Sequence, residues 1–371
     1  MVFDTVFVHL LNDFSGSPRV LKNTIDAVTE HSRHAKLYLG SYGDGFLSSC
    51  AIPVSHFGYV RSSQRFLTLI SFLFSQMVLF LKLLCDRSID KDAVVYINTV
   101  LPFGAALYAK LSGRKVVYHV HEISVSPAIL RFFLLKVVQL TSSVNIYVSD
   151  AHMIALPVPG VPAKRIYNAL DSRFLELASD TVYASRYNDY FNVLLIASLR
   201  DYKGIPELLN LAASVVEYKE IRFKLVVNDD EDAISTYFSG KQIPPNLIIY
   251  PRTNDIAIFY QQANLVLNLS RVDQWVETFG LTILEAMAFG IPVIVPPVGG
   301  PKELVDDGIQ GFKIDSYDLD LLKKKLLLLF QDETLCEKMS LACRKRAEGF
   351  SPAIYGRNIV EVLDHVGNTK K

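Results

Sequence analysis

The fold of this chain is decided by the stretch Glu277–Gly311, which reads ETFGLTILEAMAFGIPVIVPPVGGPKELVDDGIQG. Gly280 lets the backbone turn tightly into a helix that runs to Phe289, and Gly290 with Pro292 ends that helix. The apolar run that follows predicts a short buried strand. Backbone amides at the start of a helix have no partner inside it, so this start can bind a phosphate or a sugar oxygen.

Two carboxylates bracket the helix start, where the amides of Gly280 and Leu281 are unpaired. Glu277 lies in the loop before the helix, and Glu285 lies near its second turn. Apolar residues flank Glu285, so its charge needs a partner. One ligand with an anionic centre and hydroxyls on both sides would satisfy the carboxylates and the amides together. The structural alternative is a plain αβ unit in which Glu285 makes a buried salt bridge.

Two series of alternating strands and helices extend outward from this stretch. The first series has apolar strands at Thr5–Leu10, Ala35–Leu39, Val94–Ile97, Lys115–Val120 and Val144–Val148. The second has them at Asn192–Ala197, Phe223–Val227, Leu247–Tyr250, Leu265–Leu269 and Pro292–Val295. A polar, irregular linker separates the series around Tyr167–Asn192. Apolar runs separated by helices predict an α/β fold with two Rossmann-like, doubly wound parallel-sheet domains facing a cleft.

The whole run ETFGL…LEAM…GIPVI…VGGPKE resembles the signature of the retaining GT-B glycosyltransferases of family 4, and the resemblance is strongest in the second domain. It implies that Glu277 hydrogen-bonds hydroxyls of a donor sugar and that Glu285 holds the ribose of its nucleotide. It also implies that the backbone of Phe279, Gly280 and Leu281 meets the sugar and the distal phosphate. The domains are then an acceptor domain (1–170), a nucleotide-sugar domain (171–351) and a helix crossing back to the first domain (352–371).

A second site is predicted where the second domain opens, in ASLRDYKGIPELL, residues 197–209. A strand ends there and a short polar turn leads to Lys203, whose charge can neutralise a diphosphate leaving group. The family typically has an arginine at the position of Ser198. Arg200, two residues further on, either substitutes for that arginine as a phosphate ligand or is a solvated surface residue.

The first domain contributes a loop, NDFSGSPR, between its first strand and first helix. It resembles the glycine-bearing loop of the family, which implies that Gly16 approaches the donor phosphates and sugar. The alternative is a simple strand–helix turn with Ser17 as the N-cap and Pro18 as the first helical residue. Both interpretations can hold together.

Two histidines lie on one face of a strand near its carboxyl end, because His119 and His121 alternate with an apolar residue. A pair of histidines suggests a metal, but no third ligand at a suitable spacing accompanies them. The family commonly has a histidine at the position of His121, near the donor sugar. The resemblance therefore predicts His121 as a catalytic-site residue, and His119 is taken as structural.

Composition excludes several classes of protein. The 371 residues include 38 Lys+Arg and 38 Asp+Glu, and this zero formal charge argues against a nucleic-acid binder. The first 170 residues hold 16 basic against 10 acidic residues, and the rest hold 22 against 28. The four cysteines form no metal-ligating pattern or disulfide framework. We expect no metal and no cofactor beyond the nucleotide-sugar donor.

Two apolar stretches with basic flanks occur in the first domain, at Phe66–Leu81 and Ile129–Leu140. The longer one has 16 uncharged residues, which is short for a membrane span. Apolar helices with basic rims can lie in a membrane interface, so we expect contact with an anionic membrane. The alternative is that both helices are buried against the sheet. With no visible signal peptide, the expected location is the cytoplasm, at the inner face of its membrane.

The resemblance implies a metal-independent hexosyltransferase that moves a hexose from a nucleotide diphosphate sugar to a glycan or lipid-linked acceptor with retention of configuration. Bacterial surface polysaccharide assembly is the expected setting. Two alternatives stay open. The same fold supports nucleotide-sugar epimerases, and the departure at Ser198 would fit a non-catalytic partner in a polysaccharide-assembly complex.

Overall fold

The structure is a computed structural model that describes residues 2–31, 33–123 and 125–368. The chain divides into two compact units. One consists of Met1–Ala169 with Pro352–Lys371, and the other is Leu170–Ser351. Each unit has its own parallel sheet and its own hydrophobic core.

Seven strands form the sheet of the first unit: β1 (Phe3–His9), β2 (Ala35–Leu39), β3 (Val54–His56), β4 (Ile89–Asn98), β5 (Lys115–Val120), β6 (Val144–Tyr147) and β7 (Ala163–Arg165). Their order is β3-β2-β1-β4-β5-β6-β7, and every pairing is parallel. The helices between them are α1 (Gly16–Glu30), α2 (Arg65–Cys85), α3 (Phe103–Ser112), α4 (Ala128–Thr141) and α5 (Asp150–Ala155). The strands are apolar runs because helices cover the sheet on both faces.

Six strands form the sheet of the second unit: β8 (Phe191–Ala197), β9 (Ile221–Val227), β10 (Leu247–Tyr250), β11 (Leu265–Leu267), β12 (Val293–Val295) and β13 (Gly311–Lys313). Their order is β10-β9-β8-β11-β12-β13, again all parallel. The helices are α6 (Ser172–Ser179), α7 (Ile205–Ser214), α8 (Glu231–Phe238), α9 (Ala257–Gln261), α10 (Leu281–Ala288), α11 (Gly299–Leu304), α12 (Leu319–Gln331) and α13 (Glu333–Ala347). The predicted α/β class with two Rossmann-like parallel-sheet domains is confirmed.

The last helix, α14 (Pro352–Asn368), belongs to the first unit although it follows the second in sequence. The hydroxyls of Tyr355 and Thr24 are 2.6 Å apart in a buried contact that joins α14 to α1. Gly356 lies against Ala27, where an added Cβ would come within 3.1 Å of the alanine methyl. The absence of a side chain at Gly356 lets the two helices approach closely.

The linker contains a helix that the sequence analysis did not predict. Residues 172–179 form α6, and the Asp171 side chain accepts a hydrogen bond from the Phe174 amide at 2.9 Å. Phe174 packs edge-on against Phe289 with ring centroids 5.4 Å apart. Only Phe174 and Ala178 of this helix are buried. The other positions face solvent and are mostly polar, so the segment has the composition of a loop.

The start of α1 also differs from the prediction. The helix begins at Gly16 with Ser15 as its N-cap, so Ser17 is not the cap and Pro18 is not the first helical residue. The Ser15 amide donates to Asp13 Oδ1 at 2.9 Å and closes the turn before the helix. The helix cap therefore lies two residues before the predicted cap, Ser17. Pro18 fits in the first turn because the amides there have no acceptor within the helix.

The apolar stretch of the first unit is only partly buried. It forms α2, which is 21 residues long, and one stripe of that helix faces the protein. On this stripe Gln76 accepts a hydrogen bond from the Gly104 amide at 3.1 Å, which ties α2 to α3. By length and composition alone α2 could cross a membrane, and 28% of its most apolar window is buried. Most of the remaining residues of α2 are exposed, so the alternative that the helix is buried holds for one stripe only, and that stripe packs on α3.

Candidate functional site

Two loops at the carboxyl edge of the second sheet bring Lys203 and Glu277 together. Lys203 ends a short 3-10 turn after β8, and Glu277 lies in the loop between β11 and α10. The Lys203 Nζ donates to Glu277 Oε1 at 2.5 Å, and the Ser270 hydroxyl donates to the same oxygen at 2.8 Å. Both charged side chains are only 18% exposed. Two residues predicted as separate ligands of one donor therefore form an ion pair.

The charge on Glu277 is stabilised by its neighbours. Burial alone would raise the pKa of this carboxyl, but the charge of Lys203 and hydrogen bonds from Lys203, Ser270 and Trp275 outweigh that effect. The pKa of Glu277 is therefore lowered, and the group is ionised at neutral pH. An ionised carboxylate is an acceptor only, which is the property needed to bind sugar hydroxyls.

Two stacked aromatic side chains lie beside the ion pair. The Lys203 Nζ lies 4.6 Å from the ring centroid of Trp275, and Trp275 stacks on Tyr202 at 5.0 Å with an interplanar angle of 18°. Arg271 holds the same loop in place through its ion pair with Glu207 on α7, 2.9 Å long. A flat aromatic surface next to a cation offers a stacking face to a sugar or a base.

The helix start predicted to bind an anion lies directly after Glu277. Gly280 has φ of +109° and caps α10, so the amides at Gly280 and Leu281 belong to its first turn. Phe279 is 2% exposed and packs edge-on against Phe350 at 6.1 Å. Its ring is therefore packed in the core of the second unit.

The glycine pair at the start of α11 supports this loop from behind. The Gly300 amide donates to the Glu277 carbonyl at 2.9 Å. A Cβ on Gly300 would lie 2.4 Å from Phe279 Cα, and a Cβ on Gly299 would lie 2.4 Å from the Glu277 carbonyl oxygen. Both contacts are with backbone atoms, which cannot swing away. The glycine pair therefore lets the start of α11 approach the Glu277 loop closely.

Glu285 is buried on α10 and has a partner that the sequence did not reveal. Its side chain is 3% exposed, and the Tyr260 hydroxyl donates to Oε2 at 2.5 Å. Tyr260 also stacks on Phe289 at 5.6 Å, so its ring is fixed in the core. This contact is a hydrogen bond from a phenol hydroxyl to the Glu285 carboxylate.

The turn after β8 places Ser198 and Arg200 differently. Ser198 is half-buried, and its carbonyl accepts the Arg200 amide at 2.7 Å. Arg200 is exposed, and one of its guanidinium nitrogens donates to the Leu199 carbonyl at 2.9 Å. The guanidinium is thus at the surface of the turn, and its assignment as a phosphate ligand remains a prediction.

In the first unit the predicted residues His121 and Gly16 lie at the carboxyl edge of the sheet, where Asn98 connects their two segments. His121 Nε2 and Asn98 Oδ1 are 2.9 Å apart, and Asn98 Nδ2 donates to the Ser17 carbonyl at 3.1 Å. Ser17 follows Gly16 in the first turn of α1. A side chain at the end of β4 thus links the glycine loop to the histidine.

Three further histidines surround His121. The rings of His119 and His121 are 4.3 Å apart, the His119 Nδ1 lies 2.7 Å from the Tyr96 hydroxyl, and His152 Nε2 lies 2.9 Å from the Glu122 carbonyl. Burial lowers the pKa of His9 to about 4 and that of His119 to about 3. Burial and the neighbouring histidines also lower the pKa of His121. These groups are therefore neutral at pH 7.

Glu122 organises the loops at this edge. Its carboxylate accepts hydrogen bonds from the amides of Val100, at 3.3 Å, and His121, at 3.2 Å. Burial raises its pKa despite those bonds. Among the residues that the structure describes, no cluster of His, Cys, Asp and Glu has the arrangement of a metal site.

The sequence analysis did not single out several residues that contact the predicted ones. Asn98 and Glu122 are polar residues at or just after the carboxyl ends of buried strands, a signal that could have identified them. Tyr260 lies on a short helix 25 residues before Glu285, and no spacing rule finds it. Ser270 and Trp275 lie in the same loop as Glu277, where a polar or aromatic residue is no specific signal.

Two parallel-sheet Rossmann-like domains, with a lysine–glutamate pair beside a glycine-capped helix, define a protein with the GT-B architecture. Within it, residues 184–346 match the family model described as Glycosyl transferases group 1, and this match lies inside the second unit.

Individual known proteins are similar to the chain. An uncharacterized glycosyltransferase of Haemophilus influenzae is 27% identical over 161 residues, 43% of this chain and 44% of that protein. The capsular polysaccharide biosynthesis glycosyltransferase CapM of Staphylococcus aureus is 30% identical over 193 residues, 50% of this chain and 48% of CapM. The chain thus spans about half the length of these relatives. The crystal structure of Anabaena HepE with UDP and glucose is 21% identical, with a TM-score of 0.77 over 98% of this chain and 99% of HepE.

Proposed function

We propose that the chain is a retaining, metal-independent glycosyltransferase that moves a hexose from a nucleotide diphosphate sugar to a glycan acceptor in bacterial surface polysaccharide assembly. The observation that carries the proposal is the Lys203–Glu277 ion pair, which lies directly before the glycine-capped start of α10. One cation, one anion and free helix amides at a single sheet edge match a ligand that contains both phosphate and hydroxyl groups.

Each group has a role in this reaction. Lys203 and the first amides of α10 stabilise the negative charge that develops on the diphosphate as it leaves, so the chain's own groups provide the positive charge for that step. Glu277, kept ionised by Lys203, accepts hydrogen bonds from sugar hydroxyls. Glu285, whose Oε2 accepts a hydrogen bond from Tyr260, is the proposed ligand of the ribose hydroxyls. Arg200 would supplement Lys203 if its guanidinium turned inward.

The simplest route to retention of configuration is attack by the acceptor oxygen on the same face of the donor sugar from which the phosphate leaves. In that step the bond between the anomeric carbon and the phosphate oxygen breaks while the acceptor oxygen forms the new bond. The departing phosphate takes the acceptor's proton. Lys203 favours this route because it lowers the free energy of the separated charges without itself transferring a proton.

We also propose that the first unit binds the acceptor at an anionic membrane, where a lipid-linked glycan would be presented. α3 packs against both α2 and α4, so the three helices form one layer. Their exposed apolar side chains include Phe66, Ile70, Phe74, Leu111, Ile129 and Phe132, and exposed basic residues flank them at Arg61, Arg65, Lys82, Arg131 and Lys136. Because α3 covers one stripe of α2, contact in the plane of the interface fits this layer better than a span.

The two rival functions predict different products. An epimerase would convert the nucleotide sugar without an acceptor. A non-catalytic partner would bind the nucleotide without turnover, as the serine at position 198 would allow. Donor conversion, measured with and without acceptor glycans, separates these functions from transfer.

The first experiment measures thermal stabilisation by UDP-, GDP-, TDP- and ADP-sugars. A ligand at 100 times its dissociation constant should add about 2.7 kcal/mol of stability. HepE, which is similar in fold, binds UDP and glucose, so UDP-glucose is the first donor to test. Glu285→Gln should lose the shift, and Glu337→Gln, an exposed change on α13, should keep it. If no nucleotide sugar stabilises the protein at millimolar concentration, the proposed function is wrong.

A further inference from the structure

Asn98 is a completely buried polar residue for which the proposed reaction has no role so far. It is the last residue of β4, and its side chain contacts three segments. Its Nδ2 lies 3.1 Å from the Ser17 carbonyl and 3.2 Å from His9 Nδ1, and its Oδ1 lies 2.9 Å from His121 Nε2. A buried amide usually satisfies all of its polar atoms, so each contact restricts what the others can be.

The contact with Ser17 determines which way the amide points. A backbone carbonyl can only accept a hydrogen bond, so the atom facing it must be the nitrogen of Asn98. The reversed amide would set Oδ1 against the Ser17 oxygen, acceptor against acceptor. The oxygen of Asn98 is therefore the atom that faces His121.

The orientation of the amide in turn determines where the proton lies on His121. Asn98 Oδ1 has no proton to give, so the 2.9 Å contact is a hydrogen bond only if His121 Nε2 carries the hydrogen. In a neutral imidazole the other nitrogen, Nδ1, is then an acceptor. Burial and the nearby His119, His152 and His9 lower the pKa of His121, which favours the neutral ring. His121 is half-buried, so a ligand can reach part of this residue.

We propose that Asn98 is a positioning residue that holds His121 as the Nε2-protonated tautomer, so that Nδ1 accepts a hydrogen bond from a sugar hydroxyl. The proposal rests on the proposed glycosyltransferase function for the identity of that hydroxyl, but not for the tautomer. It assigns His121 a role as a neutral acceptor, distinct from the cationic role of Lys203. Through Ser17, the same amide couples the position of His121 to the first turn of α1, next to Gly16.

The first test needs no variant of Asn98. The full chain is labelled with ¹⁵N and ¹³C at histidine, and the His121 signals are identified by their absence in His121→Gln. At pH 7 we expect a neutral ring with the proton on Nε2 and none on Nδ1. A ring protonated on Nδ1, or a charged ring at this pH, would overturn the proposal.

Variants then test the cause of the tautomer. Asn98→Leu, which is similar in size but has no polar atom, should release His121 into a mixture of tautomers. Asn98→Asp keeps an acceptor toward His121 and should keep the Nε2 proton. If Asn98→Leu folds and leaves the tautomer unchanged, Asn98 is not the positioning residue. If it does not fold, the spectrum of Asn98→Asp decides, because loss of the Nε2 proton there would also contradict the proposal.

Kinetics separate this inference from the proposed function. Loss of one neutral hydrogen bond to substrate should lower turnover in Asn98→Leu by about tenfold. Thermal stabilisation by nucleoside diphosphate alone should stay, because the groups proposed to hold it are Lys203, the α10 amides and Glu285. An Nε2-protonated His121 in a protein without any transferase activity would contradict the proposed function and leave the tautomer assignment standing. Transfer activity with the opposite tautomer would contradict only the inference.

Discussion

Lys203 and Glu277 are 74 residues apart in sequence, and each is the other's partner in the structure. The pair holds opposite charges at a position where only 18% of either side chain is exposed, so each charge depends on the other until a ligand arrives. In a donor complex, a phosphate would contact Lys203 and sugar hydroxyls would contact Glu277, in place of the contact between the two residues. The pair thus joins two loops of the second unit, and it is also the group proposed to carry the reaction.

Removing the charge of Lys203 should affect turnover more than donor binding. In Lys203→Met the leaving diphosphate loses its nearest cation, so we expect transfer to fall at least about 100-fold. The chain's single tryptophan, Trp275, lies 4.6 Å from Lys203, so its fluorescence can report donor binding in the same variant. Lys338→Met, at an exposed position on α13, is the control. Unchanged transfer in Lys203→Met would exclude the proposed role.

The buried histidines make stability depend on pH. Burial holds the pKa of folded His119 at about 3, against 6.5 for a solvent-exposed histidine. Below pH 6.5 the unfolded chain binds a proton that the folded chain does not, so stability is lost as the pH falls toward 3. His119→Gln should reduce this slope by up to about 1.4 kcal/mol per pH unit.

Urea unfolding followed by circular dichroism between pH 7.5 and 5 measures that slope. Trp275 fluorescence identifies the transition of the second unit, which lacks this histidine cluster. His34→Gln, at an exposed position, is the control because it removes a histidine without altering the core. An equal slope in wild type and His119→Gln would show that His119 does not bind a proton on unfolding in this range.

At the scale of elements, the site of the second unit is built by loops that press against one another. The start of α11 fits against the backbone of residues 277–279, and Gly204 brings the turn after β8 close to Leu269. Gly204 has φ of +82°, and an added Cβ would lie 2.2 Å from the Leu269 carbonyl oxygen. Lys203 and Glu277 lie in these two loops. The close contacts that the glycines allow therefore hold the two side chains near each other.

The glycine at position 300 should therefore be required for donor binding. In Gly300→Ala the new methyl would lie 2.4 Å from Phe279 Cα, so the loop before α10 must shift. We expect a loss of about 1–3 kcal/mol of stability and loss of the nucleotide-sugar thermal shift. Gly349→Ala is the matched control, because an added Cβ there has no neighbour within 4 Å. Normal donor binding by Gly300→Ala would contradict this account of the loop.

At the scale of the whole molecule, the two units present different surfaces. The first exposes an apolar helical layer with a basic rim, while the second contains the residues that match the glycosyl transferases group 1 model. In α2 the buried stripe packs on α3 and the remaining faces point to solvent. A continuous exposed apolar surface usually indicates a binding surface. The basic residues around it favour a partner with negative charge, such as an anionic membrane.

Binding to anionic vesicles tests this surface. The triple variant Phe66→Gln, Ile70→Gln and Phe74→Gln replaces three exposed residues on α2. We expect its affinity for phosphatidylglycerol vesicles to fall at least about tenfold, while thermal stability stays unchanged. The matched control replaces three exposed residues of the second unit, Ile248, Ile309 and Leu341, by glutamine. Sedimentation of wild type that is equal with and without vesicles would exclude the membrane contact.

The sequence by itself was enough to predict the two parallel-sheet units and the glycine-capped helix that follows Glu277. Apolar strands, a glycine-capped helix and charged residues at strand ends are local features, so the printed residues carry them directly. The same local reasoning failed at α6 and at the cap of α1. In both places a short contact between neighbouring polar groups decides the boundary, and composition does not reveal it.

Only the tertiary structure decided which of these residues meet. Strand order brings the ends of β8 and β11 together, and with them Lys203 and Glu277. It likewise places β4 between β1 and β5, so that Asn98 reaches both His9 and His121. Spacing along the chain does not specify the order of strands in a parallel sheet, because each helical crossover can return to more than one position. The packing of the whole core selects that order, and the partners of the site residues follow from it.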